Sequence, residues 1–471
     1  MENNLKTIKE ELKDCFDVKY RDVATKIGKA TVVFTDELCS TSIMSEYIIE
    51  PLSSTREDIR TPEDIIEKAL TINNVGYSKD INDSIYHVLS GDVVIFIENV
   101  EEVIFCEAKG FVKRGVGTPD TESVLKGPRE GFTETFVDNL ALLRRKAKNA
   151  NFKIEVAKVG SKSQTSVCMC YIKDTAPESL VSEIRTKLNN MDYRFILDSN
   201  YIETKIRNNN SLFDTVGYTE KPDEVIAKLM EGRIAIVVDG TPSVITVPYF
   251  FLENFQAPDD YYLNRRFANF SRILRWAAFF LAIFLPGLYV ATVTYHFSIV
   301  PSLFVFRLAV SRAGVPFPTF IEVIVIMLFF QLIKEAGLRL PKPIGTAMSI
   351  VSALILGDTA VKAGIASTIT IFIIAISTLC YFIIPKIYGA ISIWSMFIVI
   401  CATVLGFPGF FLAQAAFIAH IASLETVGYS YLYPIGTMEK YKFKDVVLRG
   451  RLDRISQIII DAKGKVKDEK K

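Results

Sequence analysis

GVPFPTFIEVIVIMLFFQLIKEAGLRLPKPIGTAMSIVSALILGDTAVK, residues 314–362, decides how this chain is built. Two mainly apolar runs, 320–333 and 344–357, flank a loop bearing Lys334, Glu335, Gly337, Arg339, Pro341, Lys342 and Pro343, with Gly345 just beyond it. Each run has 14 residues, short of the ~20 that cross a ~30 Å hydrocarbon layer. Glu322 lies inside the first and Asp358 at the margin of the second. A charge at bilayer depth costs roughly 2.5–3.5 kcal/mol or more, so such groups face a water-filled cavity or a protein partner. Broken, charge-bearing segments among full spans predict a protein that conducts or gates.

Charge is divided along the chain. The 54 Lys and Arg against 53 Asp and Glu leave a net charge of +1, so no global attraction to nucleic acid is expected. Most charged residues precede Trp276 or follow Leu424, and the stretch between is overwhelmingly apolar. The sequence therefore predicts a fold in two parts: an α+β cytosolic N-terminal region of two related α/β subdomains, then an α-helical polytopic membrane domain. The expected boundaries are 1–145, 146–250 and 251–435, with a basic cytosolic tail over 436–471. The opening MENNLKTIKEELKDCF has no apolar core of signal-peptide type, which keeps the N-terminal half cytosolic in this reading.

The two subdomains are visible as an internal repeat. SGDVVIFIENVEEVIFCEA (90–108) and EGRIAIVVDGTPSVITVPY (231–249) align without a gap at an offset of 141 residues: Gly91 on Gly232, Ile95 on Ile236, Glu98 on Asp239 and Val103 on Val244. Each reads as a hairpin, the first turning near Asn99, preceded by a helix (81–89 and 223–230). The strands ATVVF (30–34) and SVCMCYI (166–172) correspond more loosely. Thr61-Pro62 is expected to open a further helix.

Enzymatic and metal chemistry find little footing. RGVGTPD (114–120) has a lone GxG, without the third glycine or following helix of a dinucleotide site. No Ser-His-Asp spacing, HExxH or paired carboxylates stand out, and no cofactor or metal is predicted. The seven cysteines are scattered without a CxxC pair, as expected of reduced structural thiols. His87, His296 and His420 are far apart in sequence.

The segment KGPREGFTETFVDNLALLRRKAK (126–148) reads as a turn shaped by Pro128 and Gly131, then a helix burying Phe136, Leu140 and Leu143 and ending in cations. Those cations suit either a solvated helix end or a linker touching a neighbouring subunit or the membrane, with Lys126 and Arg129 as anchors and Gly127 and Glu130 in the same turn.

Residues 250–270, rich in Tyr, Phe, Asn and Arg, suit a segment at the membrane surface. Arg265, Arg266, Arg272 and Arg275 place the start of a first span, 275–295, in the cytosol. The piece 296–310 is too short and broken to cross and reads as re-entrant or interfacial. Six crossings (275–295, 319–334, 343–361, 363–384, 387–407, 409–424) keep Lys334–Lys342 and Lys386 inside, with both termini cytosolic; four remain if the two short segments form one re-entrant pair.

Among the ionisable groups, Gln331 stands roughly 180° around the helix from Glu322 at 100° per residue, so no single polar stripe forms. Glu322 contacts Arg307 or Arg312, or faces a pore. Lys334-Glu335 reads as an interfacial pair, Asp358 and Lys362 as a local salt bridge or part of an ion path. His420 suits an interhelical hydrogen bond. Glu322, Gln331, Asp358 and Lys362 are the candidates for an ion path or gate.

The run KEAGLRLPKPIGTAMSIVSALILGDTAV (334–361), with SRAGVPFP (311–318) and KGPREGFTE (126–134), resembles the A subunit of the GerA-type spore germinant receptors. The resemblance covers residues 25–435. It implies an oligomer, a pentamer, in the spore inner membrane, working with a transporter-like B subunit that binds the nutrient and a lipoprotein C subunit. It further implies a nutrient-opened path for monovalent cations, with residues 126–131 as a subunit-contact linker and Glu335, Gly337, Arg339, Pro341 and Gly345 as a membrane-loop motif. Two other readings are a secondary transporter, against which no inverted repeat is evident, and a non-conducting membrane scaffold.

Overall fold

A computed structural model describes residues 2–25, 28–54, 62–78, 80–98, 102–110, 122, 124–207, 211–339, 357–435, 445–456, 458–460 and 466–468. The sequence features at Asn99, Thr61, 114–120 and most of 343–361, together with Pro341 and Gly345 of the loop motif, lie outside these residues.

Two five-stranded antiparallel sheets share one topology. The first is built from β1 (Val18–Thr25), β2 (Gly28–Thr35), β3 (Val75–Ser78), β4 (Val93–Ile97) and β5 (Val103–Cys106), in the order β1-β2-β4-β5-β3. The second uses β6 (Phe152–Val159), β7 (Thr165–Ile172), β8 (Gly217–Thr219), β9 (Ile234–Val238) and β10 (Val244–Val247), in the order β6-β7-β9-β10-β8. The permutation is the same in both, so the repeat covers whole sheets. The strands β4 and β9, VVIFI and IAIVV, are buried along their full length, because each sheet carries apolar packing on both faces.

The turn into each central strand repeats as well. Gly91 and Gly232 both follow a helix, Ile81–Leu89 or Pro222–Met230, and both adopt positive φ, +87° and +89°. A Cβ at either would lie 2.9 Å from the Leu38 Cβ or 2.7 Å from the Thr175 carbonyl oxygen. Conformation and space both require glycine there.

The two sheets are locked together. Cys15 pairs with Ile154 at the edge of β6, and the Phe16 N–H donates to the Ile154 carbonyl at 3.1 Å. Helix Phe136–Lys146 lies on the second sheet, burying Phe136, Leu140 and Leu143 beside Cys168 and Cys170. Its Arg144 is fully buried and forms a bidentate pair with Asp17, at 2.5 and 2.8 Å. Arg144 is thus drawn inside, whereas Arg145 and Lys146 are half-buried and Lys148 is exposed. Arg144 serves as a bolt between the sheets, and Arg145 and Lys146 both pair with Glu130.

The helical half centres on Arg265–Tyr295, which packs against Thr368–Ile383, Tyr388–Leu405 and Phe407–Ser423 around Phe279, Ala282, Ile391, Ile398 and Phe417. Arg265–Tyr295 and Pro385–Leu405 are long and apolar enough to cross a membrane; Thr368–Ile383 and Phe407–Ser423 are shorter apolar helices.

Several local expectations change. Lys334, Glu335, Gly337 and Arg339 are helical, in the last turns of a 21-residue helix Thr319–Arg339. Lys, Glu, Ala, Leu and Arg are good helix formers, and the Arg339 guanidinium reaches back one turn to Glu335 at 2.6 Å. The helix is therefore longer than its apolar run: at 1.5 Å per residue its 21 residues extend roughly 31 Å. The helix expected from 363 starts at Thr368, because Gly364 turns with φ +67° and Ser367 caps the N-terminus by accepting from the Thr370 N–H. The 296–310 piece runs into helix Ser302–Arg312, whose Leu303 and Phe306 are exposed.

The start of the aromatic 250–270 segment is internal, with Phe251, Leu252 and Phe255 in the core of the helical half and Phe255 stacked on Trp276 at 3.9 Å, while Phe267 and Phe270 near its end are exposed. The C-terminal residues also dock. Ile460 is buried on the second sheet, and its N–H donates to the Glu231 carbonyl at 2.8 Å.

Candidate functional site

Glu322 is a fully buried carboxylate where four helices converge. It projects from the first turn of Thr319–Arg339. One oxygen accepts from the Ser367 backbone N–H and the Thr370 hydroxyl, both at 3.0 Å. The other lies 3.3 Å from an Arg312 nitrogen. The Tyr289 hydroxyl, from the first long helix, extends the chain to Thr370 at 3.0 Å. A helix N-terminus presents free N–H groups and partial positive charge, and an anion there is stabilised. Of the contacts open from sequence, Arg312 is the one the fold brings together with Glu322.

The other candidates sit apart from it. Gln331 accepts a hydrogen bond from the Tyr388 hydroxyl, and the Lys334 ammonium lies over the same ring. Asp358 and Lys362 pair with each other at 2.5 Å on an exposed helical turn. Glu335 and Arg339 are likewise exposed and mutually neutralised. Gly337 lies in the same helix, half-buried.

The 126–131 turn joins the two halves. Gly127 has φ +118°, and a Cβ there would come 2.5 Å from the Tyr262 ring, so the loop presses against the segment leading into the first long helix. The Pro128 carbonyl accepts from the buried Lys221 ammonium at 2.8 Å. Glu130 gathers Arg145 and Lys146, and their charges hold its carboxyl below the usual range although burial opposes this. Gly131 is buried, while Lys126 and Arg129 are exposed.

Two ionic clusters at the same level escape a reading of local sequence. In the first, Lys386, in the short turn Pro385–Ile387 between two apolar helices, pairs with Glu122 at 3.3 Å. Nearby Glu224 holds Lys228 at 3.0 Å, and Glu253 holds both Lys228 and Arg233, at 3.4 and 2.5 Å. Burial alone would raise the Glu224 carboxyl, but Lys228 and Lys386 bring it down to about 2. In the second, Asp260 binds Arg272 at 2.8 Å and Arg275 at 2.7 Å, while Asp445 takes Arg272 at 2.6 Å and the Tyr261 hydroxyl at 2.6 Å. Arg272 and Arg275, read from sequence as topology-setting charges, are spent on these internal carboxylates. A lone lysine between two apolar runs was the one local signal that an acidic partner must exist; which one, only the fold decides. Among the described residues no cluster of His, Cys, Asp and Glu is arranged to hold a metal.

Two like-built α/β sheets joined to a bundle of apolar helices, with the Glu122–Lys386 ion pair across the seam, define a two-part protein with an α/β module and helices suited to a bilayer. The chain belongs to the family described as Bacillus/Clostridium GerA spore germination protein, whose family model matches residues 6–457, a spore germination receptor A-subunit family. It is 33% identical over 456 residues to spore germination protein KA of Bacillus subtilis, spanning 95% of this chain and 84% of that one. It is 33% identical to spore germination protein GerLA of Bacillus cereus (94% and 92%) and 32% identical to the uncharacterized membrane protein YfkQ of B. subtilis (95% and 88%). The crystal structure of the N-terminal domain of the A subunit of the Bacillus megaterium germinant receptor GerK3 matches 53% of this chain and 95% of its own, at 29% identity and a TM-score of 0.41.

Proposed function

We propose that this chain is the membrane subunit of a nutrient germinant receptor and that, as an oligomer, it forms a ligand-gated path for monovalent cations. In this reading it acts with a transporter-like B subunit and a lipoprotein C subunit in the spore inner membrane, with both termini on the core side. Family membership supports the receptor role and a complex with other subunits. The conducting role rests on one observation: a fully buried carboxylate, Glu322, in the first turn of a helix read here as membrane-embedded, held by groups from two neighbouring helices, with Tyr289 of a third bonded to one of them. In this reading Glu322 exchanges between its pairing with Arg312 and a passing cation, and a partner that favours one arrangement shifts the population.

The other observation favours a second reading, the non-conducting scaffold. Glu322, Asp358 and Glu335 each have a cationic partner within the same chain, so none of them stands free to meet an ion.

Reconstitution separates the two. The full chain is placed with its B and C partners in potassium-loaded vesicles and challenged with a panel of amino acids and sugars. Nutrient-dependent potassium efflux that changes in E322A supports the conducting role. An assembled, nutrient-binding complex without efflux identifies the scaffold.

A further inference from the structure

Helices Thr319–Arg339, Thr368–Ile383 and Tyr388–Leu405 line a half-open chamber of about 170 Å³, with Leu328 and Ile393 at its exposed rim and a polar end at Gln331 and Lys334. Its body is lined by Met327, Phe330, Ile374, Ile393 and Met396. Gln331 and Lys334, three residues apart and so on one face of their helix, stand at the polar end with Tyr388 opposite. Lys334 has no carboxylate at ion-pair distance among the described residues, and the adjacent Glu335 is taken by Arg339. The half-buried ammonium therefore rests on aromatic faces alone, over Tyr388 and 5.9 Å from the Phe382 centroid. A cation drawn partly out of water without a counter-charge favours an anion beside it. A cavity of about 150 Å³ with apolar walls is large enough to take benzene.

We propose that this chamber is a binding site for a small amphiphilic carboxylate, its apolar body between the three helices and its carboxylate on Lys334 and within reach of the Gln331 amide. Such an acid comes either free from solution or from the bilayer as a fatty acid whose end enters the chamber. The site is independent of whether the chain conducts, since it is tested by binding and not by flux.

The test uses the full chain in phosphatidylcholine nanodiscs at neutral pH, with radiolabelled benzoate as probe. Benzamide matches its size without the charge, and acetate matches the charge without the body. Benzoate is expected to bind saturably, with benzamide and acetate about tenfold or more weaker, the scale of one charge-assisted contact. K334Q should bring benzoate down to the benzamide level, and I393W, which fills the chamber, should abolish binding of both. Where I393W lacks a cooperative unfolding transition, M396F replaces it. Displacement of benzoate by laurate assigns the natural ligand to the membrane, and retention of benzoate assigns it to solution. Equal binding of benzoate and benzamide, binding unchanged in K334Q or in a folded chamber-filling variant, or no saturable binding overturns the assignment.

Discussion

Glu122 and Lys386 meet 3.3 Å apart across the seam between the second sheet and the helical half. The other Glu122 oxygen accepts from the Thr219 hydroxyl at 2.5 Å and the Glu220 N–H at 3.0 Å, so this carboxylate is fastened to the end of β8. Lys386 sits in the one-turn connection between Thr368–Ile383 and Tyr388–Leu405. Movement of the sheet thus reaches the joint of two apolar helices through one ion pair.

Replacing either partner by a neutral residue should loosen that joint. A double-mutant cycle of E122Q and K386M on thermal unfolding should give a coupling of about 0.5–3 kcal/mol, the range for residues in direct contact. A cycle that closes at zero would mean the contact is incidental.

Asp17 and Arg144 form the other bolt, wholly inside the protein. R144M leaves Asp17 buried without its counter-charge, and removing one member of such a pair destabilises by about 3–5 kcal/mol. Hydrogen exchange should rise at residues 14–17 and along the edge of β6. Protection there equal to the parent's would show that the backbone pairing at Cys15 and Ile154 suffices.

Glu322 holds the start of Thr368–Ile383, so its variants should rank by what they leave behind. E322Q keeps an acceptor for the Ser367 N–H and the Thr370 hydroxyl but loses the charge on Arg312. E322A loses all three and should be the less stable of the two, by about 1–3 kcal/mol for the donors left unpaired. Exchange of the amides at 367–371 reads this order directly, and an inverted order would rule out the capping role.

Two carboxyls in the soluble half make stability depend on pH near neutrality. Burial, helped by Asp17, pushes Glu37 up to about 7, and burial, helped by Asp214, pushes Glu203 up to about 7. A carboxyl raised in the folded state stabilises most below its unfolded value, 4.5 for both, and that contribution is lost as pH rises through 7. Each contributes a slope of at most about 1.4 kcal/mol per pH unit. The unfolding midpoint of the parent should fall between pH 5 and 7, and E37Q with E203Q should flatten it. Equal slopes in parent and double variant would locate the dependence elsewhere.

The repeat at 90–108 and 231–249 was legible because central strands buried on both faces must be continuously apolar, and because Gly91 and Gly232 mark the same tight turn. The outer strands were not: β1 buries only Val18 and Val23 and exposes Tyr20, Arg21 and Asp22 in a row, so it shows no period of two, and β8 has three residues, too short for a period. The extent of Thr319–Arg339 is not legible from charge, because Lys334-Glu335 suits a helix end as well as a continuation, and it is the Glu335–Arg339 pair one turn apart that lets the helix continue.

What the sequence determined by itself is the division into a charged, sheet-forming half and an apolar, helical one, together with the internal repeat and the family, since these follow from periodicity and motif along the chain. What tertiary structure decided is the partner of charges separated in the chain: Asp17 with Arg144, Glu122 with Lys386, Asp260 with Arg272, Glu322 with Arg312. Local sequence shows that a buried ion needs a counter-ion, but the desolvation that enforces the pairing exists only once the chain has folded around both.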